Sequence, residues 1–332
     1  MTQMYHQADA NPSLLEGKTI AVLGYGSQGR GQSLNLRDSG ANVVIGLRPG
    51  GPSWQQAESE GWQPVPFAEA VKDADIVMML TPDMAQAQIY REHIEPNIKP
   101  GAMLMFSHGF NILYDLIKPS AEIDVTMVAP KGPGYLVRTE YERGAGVPCL
   151  MAVHQDATGS AHAKALAYAD AVGGTRGGVL TTNFKEETET DLFGEQAVLC
   201  GGAIAMVRKG WETLVEAGYQ PELAYFECLH ELKLIVDLLY EGGISRMHQF
   251  VSDTASYGAL TRGDRIVDDR AKETMKQVLT EIQTGQFARE WIDEYQSGNA
   301  DYHRRKTEEC SHPIEAVGAD LRGRMSWLKR GE

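Results

Sequence analysis

Cysteine is scarce, with four residues, Cys149, Cys200, Cys228 and Cys310, in a chain of 332, and none of them forms a C-x-x-C pair. That gives no basis for a disulfide framework. Cys200 and Cys228 sit in apolar sequence as small hydrophobes would, which fits a reduced, cytoplasmic setting. Long apolar runs are missing. None approaches the ~20 residues needed to span a bilayer, and Met1 to Ser13 is polar, without the basic-then-apolar order of a secretory signal. Basic charge is also in deficit, 31 Lys and Arg against 45 Asp and Glu, for a formal net charge of −14. Such a surface repels phosphate at long range, so neither nucleic acid nor an anionic membrane is an expected partner. A local basic loop could still hold the phosphates of a small ligand.

Hydrophobic residues make up 42% of the chain, enough at this length for two domains, each with its own core. The apolar run Lys18 to Leu23 has strand length and is followed at once by Gly24-Tyr25-Gly26-Ser27-Gln28-Gly29 and a helix-like stretch to Asp38. This is G-x-G-x-x-G between a strand and a helix, the setting in which it binds a dinucleotide. Gly24 would make the tight turn, Gly26 would let backbone approach a pyrophosphate, and Gly29 would let the helix pack on the strand. The helix N-terminus would receive the phosphate charge.

After the second strand, Asn42 to Leu47, the acid that would hold the ribose hydroxyls of NAD is absent. Arg48-Pro49-Gly50-Gly51-Pro52-Ser53 stands there instead, so Arg48 and Ser53 could hold a 2′-phosphate, or Arg48 could stack on adenine. Strand and helix signals then alternate through Ile76 to Leu80, the turn Thr81-Pro82-Asp83, Ala102 to Phe106, Val125 to Ala129, Cys149 to Val153 and Gly178 to Thr182. The fold class implied is α/β, a Rossmann-type doubly wound sheet with ligands at the C-terminal ends of its strands. His108, in Ser107-His108-Gly109-Phe110, and Lys131, in Pro130-Lys131-Gly132-Pro133-Gly134, directly follow strands at that edge.

From Asn183 onward the pattern is helical throughout, so residues 1–182 form the dinucleotide domain, 183–328 an all-α domain and 329–332 a tail. Two carboxylate rows stand out in the helical half. At about 100° per residue, Glu187, Asp191 and Glu195 share a stripe with Val198 and Gly202, and Glu227 and Glu231 share one with Leu234 and Leu238. His230, Lys233, Asp237 and Glu241 face another way, which sets Glu227 and Glu231 toward packing. Buried carboxylates are costly unless paired or bound to a cation. Two such pairs are read either as an all-oxygen site for a hard ion such as Mg²⁺ or as acids neutralised by Lys or Arg of another helix.

Taken together, the Gly24 to Gly29 loop, Phe106 to Phe110, Ala129 to Gly134, Asp191 to Gln196, the Glu227/Glu231 pair and Ser252 to Gly258 resemble ketol-acid reductoisomerases of the short class I type over essentially the whole chain. The resemblance implies alkyl migration in 2-acetolactate or 2-aceto-2-hydroxybutyrate, dependent on two Mg²⁺ ions, then reduction to the 2,3-dihydroxy acid in branched-chain amino-acid synthesis. It also implies a knotted helical domain and a homodimer with shared active sites, in some members part of a larger assembly. By the same resemblance Asp191 bridges the metals and Glu195 completes the first site. Glu227 and Glu231 serve the second from the partner subunit, and Glu231 shuttles a proton. Lys131 adds positive charge at the reacting oxygens, His108 sits beside the nicotinamide, and Ser252 binds the substrate carboxylate.

The cofactor contacts fall to Gly24, Tyr25, Gly26, Ser27, Gln28, Gly29, Arg48, Ser53, Pro82, Asp83, His108 and Gly134. Glu187 matches no functional position and reads as a helix-terminus charge. The clearest departure is Gly51, where NADPH-using relatives often carry serine. That predicts dual use of NADH and NADPH leaning to NADH. A metal-free hydroxyacid dehydrogenase and a dinucleotide-sensing protein without turnover are the competing readings. The first needs no acidic quartet, and the second predicts binding without Mg²⁺-dependent oxidation.

Overall fold

The computed structural model describes residues 3–328, in two compact units that divide between Thr190 and Asp191. The expected tail, 329–332, lies outside the described residues. In the first unit the strands are β1 (Met4–Tyr5), β2 (Thr19–Leu23), β3 (Asn42–Gly46), β4 (Ile76–Met79), β5 (Met103–Phe106), β6 (Asp124–Pro130), β7 (Cys149–Gln155) and β8 (Val179–Thr181). They form one sheet in the order β1-β8-β7-β6-β5-β4-β2-β3. Five of the pairings are parallel, whereas β7 runs antiparallel to β6 and β1 antiparallel to β8, so the sheet is mixed.

The central strands read as unbroken apolar runs because both of their faces are covered. Successive side chains point to opposite faces, so Ile20 and Val22 enter one buried cluster while Ala21 and Leu23 enter the other. The helices are α1 (Ser27–Asp38), α2 (Pro52–Ser59), α3 (Phe67–Lys72), α4 (Asp83–Ile89), α5 (Phe110–Leu113), α6 (Gly134–Glu142), α7 (Ala161–Ala171) and α8 (Gly174–Gly177). Strand β2 has β3 on one side and β4 on the other, which places the topological switch, and therefore a crevice, at the C-terminal ends of β2 and β4.

Helix α9 (Phe184–Gly194) begins where the helical region is expected, but its first turns belong to the first unit. The second unit continues with α10 (Gly201–Glu216), α11 (Pro221–Tyr225), α12 (Glu231–Phe250), α13 (Asp253–Ile266), α14 (Asp269–Gln283), α15 (Gln286–Gln296), α16 (Ala300–Cys310) and α17 (Pro313–Arg324). Its small core gathers Val207, Trp211, Ala224, Tyr225, Ile314, Leu321 and Met325. Trp211 Nε1 donates to the Pro221 carbonyl at 3.1 Å, and Arg322 donates to the Tyr225 hydroxyl at 3.0 Å. Helix α12 is interrupted, since Gly242 and Gly243 leave helical geometry inside it, with Gly243 at φ +72. Among the described residues no helix is long and apolar enough to cross a membrane.

Helices α1 and α6 meet through glycine. A β-carbon on Gly31 would overlap the Gly134 carbonyl, and one on Gly134 would overlap the Ser27 carbonyl, so the segment after Lys131 lies directly against the nucleotide loop. Replacing Gly134 by alanine forces these backbones apart. The expected cost is about 1–3 kcal/mol, read as a fall in Tm, and an unchanged Tm would contradict the contact.

Candidate active site and dinucleotide cleft

The Gly24 to Gly29 loop leaves β2 at the switch point. Gly24 has φ +106, and a β-carbon there would stand 2.6 Å from the Leu80 carbonyl oxygen, so the turn requires glycine. A β-carbon on Gly29 would collide with the Gly24 carbonyl, which ties helix α1 to the strand. Around Gly26 there is open space, as a ligand phosphate needs. A cleft of about 450 Å³ opens here, lined by the loop from Gly24 to Gln28, by Arg48, Gly51, Pro52 and Ser53, and by Thr81, Pro82 and Asp83. The expected cofactor residues Gly24, Tyr25, Gly26, Ser27, Gln28, Arg48, Ser53, Pro82 and Asp83 thus border a single cavity.

The loop after β3 is the N-terminus of helix α2, with Gly51 as its N-cap and Pro52 at the first helical position. Arg48 is exposed beside it. Three of the expected contacts also hold the surrounding segments together. The Tyr25 ring is buried, its hydroxyl donates to Glu60 at 2.8 Å and accepts from Trp62 at 2.7 Å, and Arg30 donates to Glu60 at 2.7 Å. Burial, and then the Glu60 carboxylate, push the Tyr25 phenol well above its usual range. Burial would also raise Glu60, but the bonds from Arg30 and Tyr25 outweigh it and hold that carboxyl below its ordinary value. Tyr25 therefore anchors the glycine loop to the end of α2. Gln28 also donates its amide inside the protein, to the Gly132 carbonyl at 2.9 Å, and Gly134 packs on Ser27 and lines a neighbouring cavity with Tyr25, Gly26 and Ser27.

At the ends of β5 and β6 the structure adds a role that the expectation lacked. Glu187 does stand in the first turn of α9, as a helix-terminus charge would, but it is 1% exposed. Its Oε1 accepts from Lys131 Nζ at 2.9 Å, its Oε2 accepts from the Gly109 amide at 3.2 Å, and His108 Nδ1 stands 3.2 Å from Oε2. Burial alone would raise this carboxyl, but His108 and Lys131 outweigh it and hold it below its ordinary value, so it remains ionised. Gly109 must be glycine because a β-carbon there would strike Thr188 Oγ1. Asn111 donates to the Asp83 carbonyl at 3.0 Å and to Gln86 Oε1 at 3.1 Å, which ties the His108 loop to the turn after β4.

In the second unit, Asp191 is half-buried while Glu195, Glu227 and Glu231 are exposed. The inward placement expected of Glu227 and Glu231 is therefore not provided by this chain alone, and their stripe partner Leu234 is itself 52% exposed. Five-residue π turns, Glu195–Leu199 and Phe226–His230, explain part of the difference. A π turn inserts a residue and rotates everything beyond it, so a wheel drawn at about 100° per residue loses register there, and such turns recur at functional sites. Among the described residues neither Glu227 nor Glu231 pairs with a lysine or arginine. Ser252 is the N-cap of α13, accepting from the Ala255 amide at 3.1 Å, which leaves its hydroxyl proton free to donate.

A switch-point cleft with a strand–glycine loop–helix turn, beside a lysine and a histidine on adjacent strand ends, defines a nicotinamide-dependent oxidoreductase. Residues 14–178 match the family described as acetohydroxy acid isomeroreductase, NADPH-binding domain, and residues 184–327 match ketol-acid reductoisomerase, C-terminal domain. The chain belongs to the ketol-acid reductoisomerase family. It is similar to the NADH-preferring ketol-acid reductoisomerase from an uncultured archean, with 47% identity, a TM-score of 0.95 and coverage of 97% of this chain and 98% of that one. A semialdehyde dehydrogenase NAD-binding protein from Cupriavidus necator (17% identity, TM-score 0.58, 79% and 99% covered) shares the fold. So does a pyrroline-5-carboxylate reductase from Coxiella burnetii (13%, 0.54, 79% and 95%).

Because the Glu187 carboxyl titrates below its unfolded value of 4.5, its contribution to stability is present above that pH and disappears as pH falls through the folded pKa. Glu187→Gln should cost on the order of 1.5–3 kcal/mol at pH 7 and progressively less on acidification, measured by urea unfolding across pH. A pH-independent difference would mean the charge is not what matters.

Proposed function

We propose that this ketol-acid reductoisomerase rearranges 2-acetolactate or 2-aceto-2-hydroxybutyrate and reduces the product with a nicotinamide coenzyme, NADH by preference. The observation that carries this reading is the Lys131–Glu187–His108 array at the ends of β5 and β6. It holds a fixed positive charge and an imidazole at the edge of the sheet where a nicotinamide bound along the cleft would end. In the first step a hydroxyl loses its proton, the alkyl group on the same carbon moves to the adjacent ketone carbon, and that ketone oxygen becomes an alkoxide. In the second, hydride adds to the newly formed ketone and a proton completes the diol. Negative charge thus builds on neighbouring oxygens, which the Lys131 ammonium, oriented by Glu187, stabilises.

Asp191, Glu195, Glu227 and Glu231 offer oxygen donors alone, a set that suits hard divalent cations such as Mg²⁺. Asp191 and Glu195 would hold the first ion, with Asp191 bridging, and Glu227 and Glu231 from a second subunit would serve the second. Bound there, the ions supply Lewis acidity to both reacting oxygens. Glu231 accepts and returns the proton, and Ser252 donates to the substrate carboxylate. A homodimer is supported by the apolar side chains that α12 and α13 leave in water, among them Tyr240 at 89%, Ile244 at 69% and Leu260 at 71% exposure.

The preference for NADH rests on the loop from Arg48 to Ser53, where Gly51 offers no hydroxyl to a 2′-phosphate, and it agrees with the stated preference of the archaeal relative. The cytoplasm is the compartment this reading implies.

Nicotinamide oxidation with 2-acetolactate should require Mg²⁺ and be abolished by a chelator. Asp191→Asn should lose both steps while NADH fluorescence shows binding unchanged, and retained isomerisation would remove the bridging role from Asp191. Gly51→Ser should raise kcat/KM with NADPH about ten- to a hundredfold, the worth of one hydroxyl donated to a charged group. A hundredfold advantage for NADPH in the unaltered enzyme would overturn the NADH preference.

A further inference from the structure

We infer that Gln32 is a positioning residue whose side-chain amide couples the nucleotide loop to the two loops that carry His108 and Lys131, an inference that rests on the roles given to those two residues above. Gln32 lies on α1 and is fully buried. Its Nε2 donates to Gln28 Oε1 at 3.0 Å and to Ser107 Oγ at 3.0 Å, and its Oε1 accepts from the Tyr168 hydroxyl at 2.9 Å. Gln28 in turn donates to the Gly132 carbonyl at 2.9 Å, and Ser107 donates to the Val128 carbonyl at 2.9 Å.

The direction of every bond follows from the two carbonyls at the ends. A carbonyl can only accept, so the Ser107 proton is committed to Val128 and the Gln28 nitrogen to Gly132. Both residues therefore turn acceptors toward Gln32, which must meet them with its nitrogen, leaving its oxygen for Tyr168. One amide orientation satisfies the whole set. Ser107 immediately precedes His108 and Gly132 immediately follows Lys131, so the same nitrogen sets the spacing of the two loops whose side chains share Glu187. Tyr168, on α7, completes the set from a helix that carries no site residue, and its hydroxyl donates the proton that satisfies the Gln32 oxygen.

A packing residue would change stability and leave turnover alone, whereas a positioning residue changes kcat, because displacement of reacting groups by about 1 Å can cost a hundredfold. The test compares Gln32→Met, Tyr168→Phe, the double variant and Lys131→Met by Tm, NADH affinity from fluorescence, KM for 2-acetolactate, and kcat at a temperature well below each Tm. Gln32→Met should lower kcat about tenfold or more while NADH affinity and KM move less than threefold. Tyr168→Phe, the loss of one oxygen, should shift kcat in the same direction by a smaller factor. The double variant should be no slower than Gln32→Met, because both act through one amide.

Unchanged kcat in folded Gln32→Met and Tyr168→Phe, with Lys131→Met inactive, would overturn the coupling and leave the site reading standing. Losses that multiply in the double variant would also overturn it. Full activity in Lys131→Met would instead remove the site reading on which the inference rests. If Gln32→Met does not fold, the Tyr168→Phe result decides.

Discussion

A carboxylate removed from water must be met by positive charge and hydrogen-bond donors, and Glu187 imposes that requirement on the first unit. Uncompensated, it would carry a desolvation penalty of several kcal/mol. Compensation comes from Lys131, His108 and the Gly109 amide, on the loops that follow neighbouring strands β5 and β6. The lysine and the imidazole are therefore placed by a charge that cannot be left alone, not by the flexible preferences of two surface loops. Several local features follow from this requirement. Residue 109 has no side chain because α9 approaches to the distance where Thr188 would touch it, and the compact unit extends into α9 because the helix delivers the carboxylate.

The same economy of backbone contact governs the nucleotide side of the sheet. Gly24 against Leu80, Gly29 against Gly24 and Gly31 against Gly134 let the segments after β2, β4 and β6 approach without side chains between them. Buried amides then lock the register. Gln86 and Asn111 join the turn after β4 to the loop after β5, and Gln28 and Gln32 join α1 to the loops after β5 and β6. Apolar packing alone would hold these loops together but would tolerate sliding. Directional bonds made by the buried amides of Gln32, Gln86 and Asn111 resist sliding, because a displaced partner leaves a buried polar atom unsatisfied.

Much of this was legible in the sequence wherever the signal is local. The glycine loop between a strand and a helix, the apolar runs of the buried strands and the strand ends bearing His108 and Lys131 each show within a few residues. Glu187 was not legible because an acid in the first turn of a helix is ordinary, and its lysine partner lies 56 residues away. The antiparallel course of β7 escapes a pattern that records burial but not direction. Helix α16 carries no apolar period in Asp301-Tyr302-His303-Arg304-Arg305-Lys306; its order comes instead from ion pairs such as Arg304 with Glu308 at 2.8 Å. Helix α2 was hidden behind Pro49, Gly50, Gly51 and Pro52, which read as a loop although proline suits the first position of a helix. The two π turns defeated the helical wheel at the carboxylates whose direction mattered most.

The second unit poses the converse problem, with too little of its apolar surface covered. Glu231 opens α12, and Leu234, Leu239 and Ile244 follow on the same helix, all in water in the single chain. In the proposed dimer whatever covers those leucines also draws Glu227 and Glu231 into a less aqueous environment, where two carboxylates without basic partners are costly unless a cation joins them. Assembly and metal binding would then favour each other. The covered apolar area would stabilise the subunit contact, and a cation would offset the carboxylate charge that the contact would otherwise have to desolvate. Carboxylates left exposed in the isolated chain are thus what a site completed by association requires, since a chain that buried them alone would carry the full penalty before any metal or partner arrived.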